Sequence, residues 1–175
     1  MGSNKELVNF EALYKRWSGM LHQYALYFVK DEEAAASLVN DLFVQLWFNK
    51  TEPDNLKAYL FRAIKNSALN YLKQHKNNSL TLLEQDDLTA ISDLSFEDEN
   101  TNESEQLVFL HFLISKLPER RQLVFKMHRI EGFSYAEIAE LLQISVRTVE
   151  DHLSKSMQFI YDQSQHLIHR KLTEA

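Results

Sequence analysis

Between residues 77 and 106 the chain carries nine Asp or Glu side chains and not one Lys or Arg. Carboxylates at that density cannot leave water without cationic partners, and the segment contains none. The segment reads as a tether, and the helical blocks on either side of it as two separate domains. From Asn77 to Ser104 the apolar residues (Leu80, Leu82, Leu83, Leu88, Ile91, Leu94 and Phe96) follow no sustained period. The expectation is an acidic linker over 77–104 with at most one short helix. The flanks differ in charge. Residues 1–76 hold 10 basic and 8 acidic side chains, and residues 107–175 hold 9 and 8. The net charge of −6 thus belongs to one segment, between two nearly neutral blocks.

Only 3 glycines and 2 prolines occur in 175 residues, which favours helices over hairpins. In the first block, Leu7, Phe10, Leu13, Tyr14 and Trp17 recur at helical spacing, and a second helix is expected from about Met20 to Val29. Asp31 can cap a third helix, with Leu38, Val39, Leu42, Phe43, Leu46 and Trp47 inward. Residues 49–55 break the pattern as a loop. A fourth helix spans about Leu56 to His75, with Leu60, Ala63, Ile64, Ala68, Tyr71 and Leu72 inward. Helices resume near Glu105, and Pro118 suits the first position of another, with Glu119 at its positive end. The expected fold is all-α: two small helical domains, 1–76 and 105–175, on an acidic linker.

Residues 132–159 are the most informative stretch. Ser134 followed by Glu137 forms a capping box. Tyr135, Ile138, Ala139, Leu141 and Leu142 then share one side of a short helix. Ser145 is a good N-cap for the next, which places Val146, Val149, Leu153 and Ile160 inward with Met157 alongside. Facing outward are Arg147, Thr148, Glu150, Asp151, His152, Lys155 and Gln158. Two such helices on a tight turn make a helix-turn-helix, whose second helix can lie in a DNA major groove.

Chemistry is hard to find elsewhere. Without cysteine, thiol catalysis and disulfides are excluded. There is no phosphate-binding glycine loop and no nucleophile elbow. His166 and His169 form an i, i+3 pair, but no further ligands complete a metal site in sequence. No catalytic residue, metal or cofactor is expected. No apolar run reaches spanning length, and the start lacks a signal-peptide core and the myristoylation pattern, so a cytoplasmic protein is expected.

Three stretches together resemble bacterial RNA polymerase sigma factors of the extracytoplasmic-function (ECF) type. Residues 33–47 resemble the family's clamp-binding helix, 59–73 its −10 recognition helix, and 117–161 its region 4. The order and spacing of the three carry the likeness. It implies that the first block, as region 2, binds core RNA polymerase and the −10 promoter element, and that the second, as region 4, binds the −35 element. Arg62, Lys65, Asn66, Asn70 and Lys73 lie close to one helical stripe, where amides can meet bases and cations phosphates. By resemblance Asn66 has a base-specific role, and residues 49–55 form the loop that captures an extruded base. Asn40, Asp41 and Gln45 contact the clamp by the same likeness, whereas Trp47 reads as core. Ser134, Tyr135, Arg147, Thr148, Glu150, Asp151, His152 and Lys155 are the candidates at the −35 element. The linker is expected to thread the polymerase cleft, and an anti-sigma factor is an expected partner.

Two positions depart from the family pattern. Ser37 stands where the family usually has an acid, and Glu150, Asp151 and His152 stand where many members have basic residues. Two other readings share features with this one. A response-regulator output domain has a similar core, matched at Thr148, Val149, His152 and Leu153, but such proteins carry an α/β domain in front. A sigma-like protein that binds only an anti-sigma factor would also fit Ser37 and the acidic helix.

Overall fold

Helix α1 (Gly2–Val29) runs unbroken through the point where two helices were expected. Gly19 lies within it, and a helical glycine costs about 1 kcal/mol relative to alanine. Packing outweighs that cost, because α1 lies against both α2 (Glu32–Asn49) and α3 (Leu56–His75) along its length. On one side of Gly19, Trp17 meets Phe61 edge-on, with ring centroids 6.2 Å apart. On the other, Tyr24 meets the same Phe61 at 5.0 Å. The computed structural model describes residues 2–50, 53–75 and 105–173. The expected linker, 77–104, lies outside the described residues.

The turn from α1 to α2 takes two residues. Lys30 adopts the left-handed conformation (φ 56°), and Asp31 then accepts a hydrogen bond from the Ala34 N–H at 2.9 Å. Glu32 and Glu33 follow at the positive end of α2. His22 Nε2 lies 3.1 Å from a Glu32 carboxylate oxygen, tying α2 back to α1. After α2, Lys50 is again left-handed, and Asn55 caps α3 through the Ala58 N–H at 3.0 Å. Leu21, Tyr24, Leu60, Phe61, Ile64 and Ala68 are fully buried at the centre of this three-helix unit. Trp47 is not core as expected. It is 38 % exposed and leans on Phe10 at the rim, centroids 4.9 Å apart. Phe43, pointing to the same side of α2, already fills the interior beside Phe10 and Tyr14.

The second unit contains α4 (Glu105–Ser115), α5 (Glu119–Arg129), α6 (Tyr135–Leu142) and α7 (Val146–Thr173). The chain divides into two compact units, residues 1–82 and 83–175. Among the described residues every regular element is a helix. Pro118 is the N-cap of α5, one position earlier than expected, and offers no side-chain hydrogen bond. The end of α4 is closed instead by Gln122, whose amide donates to the Ile114 carbonyl at 3.1 Å. Between α5 and α6, Gly132 takes φ 73°, and the buried Phe133 seals the turn. His128 Nδ1 donates to the Phe133 carbonyl at 2.8 Å. α5 and α6 both pack on α7 through Leu123, Met127, Ile138, Leu142, Val149 and Leu153.

Two substitutions test this account. Phe61→Ala removes the ring shared by α1 and α3, and should cost about 3–5 kcal/mol in the N-terminal unit. Ser134→Ala removes the cap of α6, and should cost about 1 kcal/mol in the C-terminal unit. Denaturant titrations followed by Trp17 and Trp47 fluorescence, and by helical circular dichroism, would report the two transitions.

Candidate nucleic-acid interface

The C-terminal unit builds its exposed face from the α6–α7 turn. The expected capping box is present: Ser134 Oγ accepts from the Glu137 N–H at 3.2 Å, and Glu137 Oε2 accepts from the Ser134 N–H at 2.8 Å. α6 ends at Gln143, which is left-handed (φ 57°), and the Ile144 N–H donates to Ala139 at 3.0 Å. Ser145 then caps α7 through the Thr148 N–H at 3.0 Å. Three residues separate the helices, so α7 leaves at a fixed angle with its first turn projecting. Val149, Leu153 and Ser156 are buried against α5 and α6, and this orients the opposite face of α7 to solvent.

That face is not uniform. Arg147, Glu150, Asp151, Ser154 and Lys155 are exposed. Lys155 Nζ lies 2.8 Å from Asp151 Oδ2, an i, i+4 pair. The hydrogen bond from Lys155 holds the Asp151 carboxyl below the usual carboxylate range, assisted by the nearby charges of Lys155, His152 and Arg121. The carboxylate is therefore ionised at neutral pH, and its link to Lys155 is lost as pH falls through that lowered value. Thr148 is half-buried, and its hydroxyl pairs with Ser145 Oγ at 2.8 Å. His152 is half-buried on the flank. Tyr135 is partly exposed and packs edge-on against His128, with centroids 4.9 Å apart. Val146 and Met157, expected inward, are both 43 % exposed. Ser156 takes the inner position instead, since its hydroxyl can bond to the His152 carbonyl at 2.7 Å and needs no other partner.

In the N-terminal unit the polar stripe of α3 divides in two. Arg62 and Asn66 line a concavity of about 400 Å³ with Asn55, Ala58, Tyr59 and Ala63, beside the α3 N-terminus. Asn70 instead lines a cleft of about 340 Å³ between α3 and α2, with Ser37, Asp41, Ser67, Tyr71 and Gln74. Lys65 is half-buried, and Lys73 is exposed in the last turn. The split follows from the 100° step of a helix: each step of four residues advances about 40° round the axis, so from Arg62 through Asn66 to Asn70 the stripe turns by about 80°, and Asn70 lines the cleft toward α2. Tyr59 escaped the sequence reading because Leu60, its apolar neighbour, set the helical phase.

On α2, Asn40, Asp41 and Gln45 are all exposed, and Asn40 Oδ1 accepts from the Tyr14 hydroxyl at 3.2 Å. Ser37, Asp41, Val44 and Phe48 form one outward ridge at i, i+4, i+7 and i+11. Phe48 is 76 % exposed and Val44 52 %. Neither was anticipated, because an isolated apolar residue on a polar face carries no periodic signal. Among the described residues, no group of three or more His, Asp or Glu side chains could hold a metal ion.

Comparison with known proteins bears on both units. Residues 13–78 match the family described as Sigma-70 region 2, and residues 110–160 match Sigma-70, region 4. Together the matches span about two thirds of the chain. No curated protein sequence matches it. Among solved structures, CnrH in complex with the cytosolic domain of CnrY is 21 % identical, with 90 % of this chain and 88 % of that one covered and a TM-score of 0.42. The sigma factor RpoE in complex with the anti-sigma factor NepR, from Bartonella quintana, is 17 % identical, with 90 % and 97 % covered and a TM-score of 0.46. The assignment rests on the two matched regions, which occur in order along one chain and coincide with its two helical units. The chain therefore belongs to the sigma-70 family and carries its region 2 and region 4.

Proposed function

We propose that the two units divide promoter recognition between them. Residues 1–76 dock on core RNA polymerase through α2 and read the −10 element through α3. Residues 105–175 read the −35 element through α7, and residues 77–104 join the two. The observation that carries this reading is the pairing, in one chain, of a capped helix-turn-helix with an α3 face that places Arg62 and Asn66 in one concavity. In that concavity an extruded base would meet the Asn66 amide and the Tyr59 ring, with the Arg62 charge nearby for phosphate. Sigma factors work by binding and not by catalysis, consistent with the chemistry of these faces.

Charge limits what each unit can do alone. A protein that neutralises 6–10 phosphates binds tightly through counterion release. Neither nearly neutral unit carries that surplus, so free protein should bind DNA at roughly 10⁻⁴ M or weaker. Core polymerase would hold both units at promoter spacing, where each weak contact acts at high effective concentration. The α2 ridge is the surface for that docking: Asp41 supplies charge, and Val44 and Phe48 supply apolar area. An anti-sigma protein that covered this ridge would silence the factor, and the site of action is the cytoplasm. No described helix is long and apolar enough to cross a membrane.

Run-off transcription with core polymerase and the full chain tests the reading. Transcript should depend on added protein, and Asn66→Ala with Arg62→Ala should lower it by roughly 10- to 100-fold at an unchanged −35 element. Absence of transcript, with retained anti-sigma binding, would leave only the sigma-like binding protein. A gel shift without polymerase should show no complex at nanomolar protein and physiological salt. Phe48→Ser should weaken core binding by about tenfold or more, the magnitude of one buried phenyl ring, while leaving helical content intact.

A further inference from the structure

The outward face of α7 carries a mixture of charges, but most of them are already engaged. Asp151 is paired with Lys155 at 2.8 Å, one turn along. The Gln158 amide donates to Asp162 at 2.8 Å. Thr148 is taken up with Ser145 in the cap. In residues 146–156, the part of α7 nearest the turn, three polar side chains remain. Among the described residues Arg147, Glu150 and Ser154 make no hydrogen bond or ion pair, and all three are exposed. They stand at i, i+3 and i+7, which is one ridge of a helix. The ridge starts in the first turn of α7, the part of a recognition helix that comes nearest the base edges.

A carboxylate in a major groove is expensive. It faces phosphates on both sides, and the acceptor atoms of guanine (N7, O6) and thymine (O4) repel it. The cytosine N4 amine donates directly to it. An unpaired glutamate therefore acts as a filter as well as a contact. Arg147 has the opposite preference, since its guanidinium fork matches guanine O6 and N7. The two Cα positions are about 4.5 Å apart along the axis, three residues at 1.5 Å each. That is close to one base-pair step of about 3.4 Å. Asp151 could compete as a reader, but its carboxylate is occupied by an ammonium that would have to be displaced.

We infer that Glu150 is the specificity-determining residue at the −35 element, selecting a cytosine, and that Arg147 selects the guanine of a neighbouring G·C pair. Asp151 serves through Lys155 and not through a base. This rests on the reading of α7 as the −35 recognition helix and deepens it.

The test uses the full chain with core RNA polymerase on promoters of fixed −10 element and randomised −35 region, with transcripts sequenced. The wild-type protein should enrich cytosine at one position, with a guanine-bearing neighbour, by roughly 5- to 150-fold over the wrong base. Glu150→Ala should flatten the first preference and leave the second. Glu150→Gln should move the first toward adenine, because an amide both donates to N7 and accepts from N6. Arg147→Ala should flatten the second preference alone. Asp151→Asn should change the amount of transcript without moving the preferred base. All four positions are exposed, and circular dichroism of each variant confirms an intact fold before selection. A cytosine preference that survives both Glu150 substitutions, a guanine preference that survives Arg147→Ala, or either preference moving with Asp151→Asn, overturns the proposal while sparing the reading of α7. Transcription indifferent to the whole upstream region overturns both.

Discussion

Scarcity of glycine sets the terms of this fold. A helical bundle must reverse its chain direction repeatedly, and left-handed residues are the usual means, with glycine the usual choice. Here Lys30, Lys50 and Gln143 take positive φ with a Cβ in place, at about 1–2 kcal/mol each. What offsets the strain is a side chain on the far side of each turn. Asp31 caps α2, Asn55 caps α3, Ser134 and Glu137 cap α6, and Ser145 caps α7. Each cap satisfies a backbone donor that would otherwise be left open and fixes the angle at which the next helix departs. The cores can assemble only because those angles are right.

The same caps explain which parts of the structure were readable beforehand. Asp31, Ser134, Glu137 and Ser145 announce helix starts at the level of local chemistry, and α2, α6 and α7 begin where they indicate. Local chemistry failed where tertiary contact decided. A break near Gly19 was reasonable from propensity, yet Phe61, distant in sequence, holds both halves of α1 in one line. Phe61 was itself overlooked as core, because the stripe drawn through Leu60, Ile64 and Ala68 leaves it on the edge. Trp47 was assigned inward on size and phase, and Phe43 had already taken the space.

The functional faces show the same division. The presence of a helix-turn-helix and the approximate polar faces of α2 and α3 could be read from spacing. What could not be read was which polar groups remain available. Asn70 lies two four-residue steps on from Arg62, about 80° round the axis, and lines the cleft toward α2. Thr148 and Asp151 are consumed by neighbours three and four residues away. Ser154, with nothing in its sequence context to mark it, stands clear. Periodicity states where a side chain points, whereas availability depends on pairings that only coordinates reveal. Charge follows a parallel logic: the surplus of carboxylates is concentrated in one block, and the two units on either side of it are left nearly neutral.

One consequence of α7 concerns mechanics. It is a single helix of 28 residues, about 42 Å long, and among the residues whose side chains are described its buried ones, Val149, Leu153 and Ser156, lie in the first half. The later turns extend the same rod whose first turn would enter the groove. A molecule bound to those later turns would act on the first turn through the helix itself, about the place where α5 and α6 hold it. Promoter choice in such a design can be tuned from a distance, with no alteration to the side chains that touch DNA.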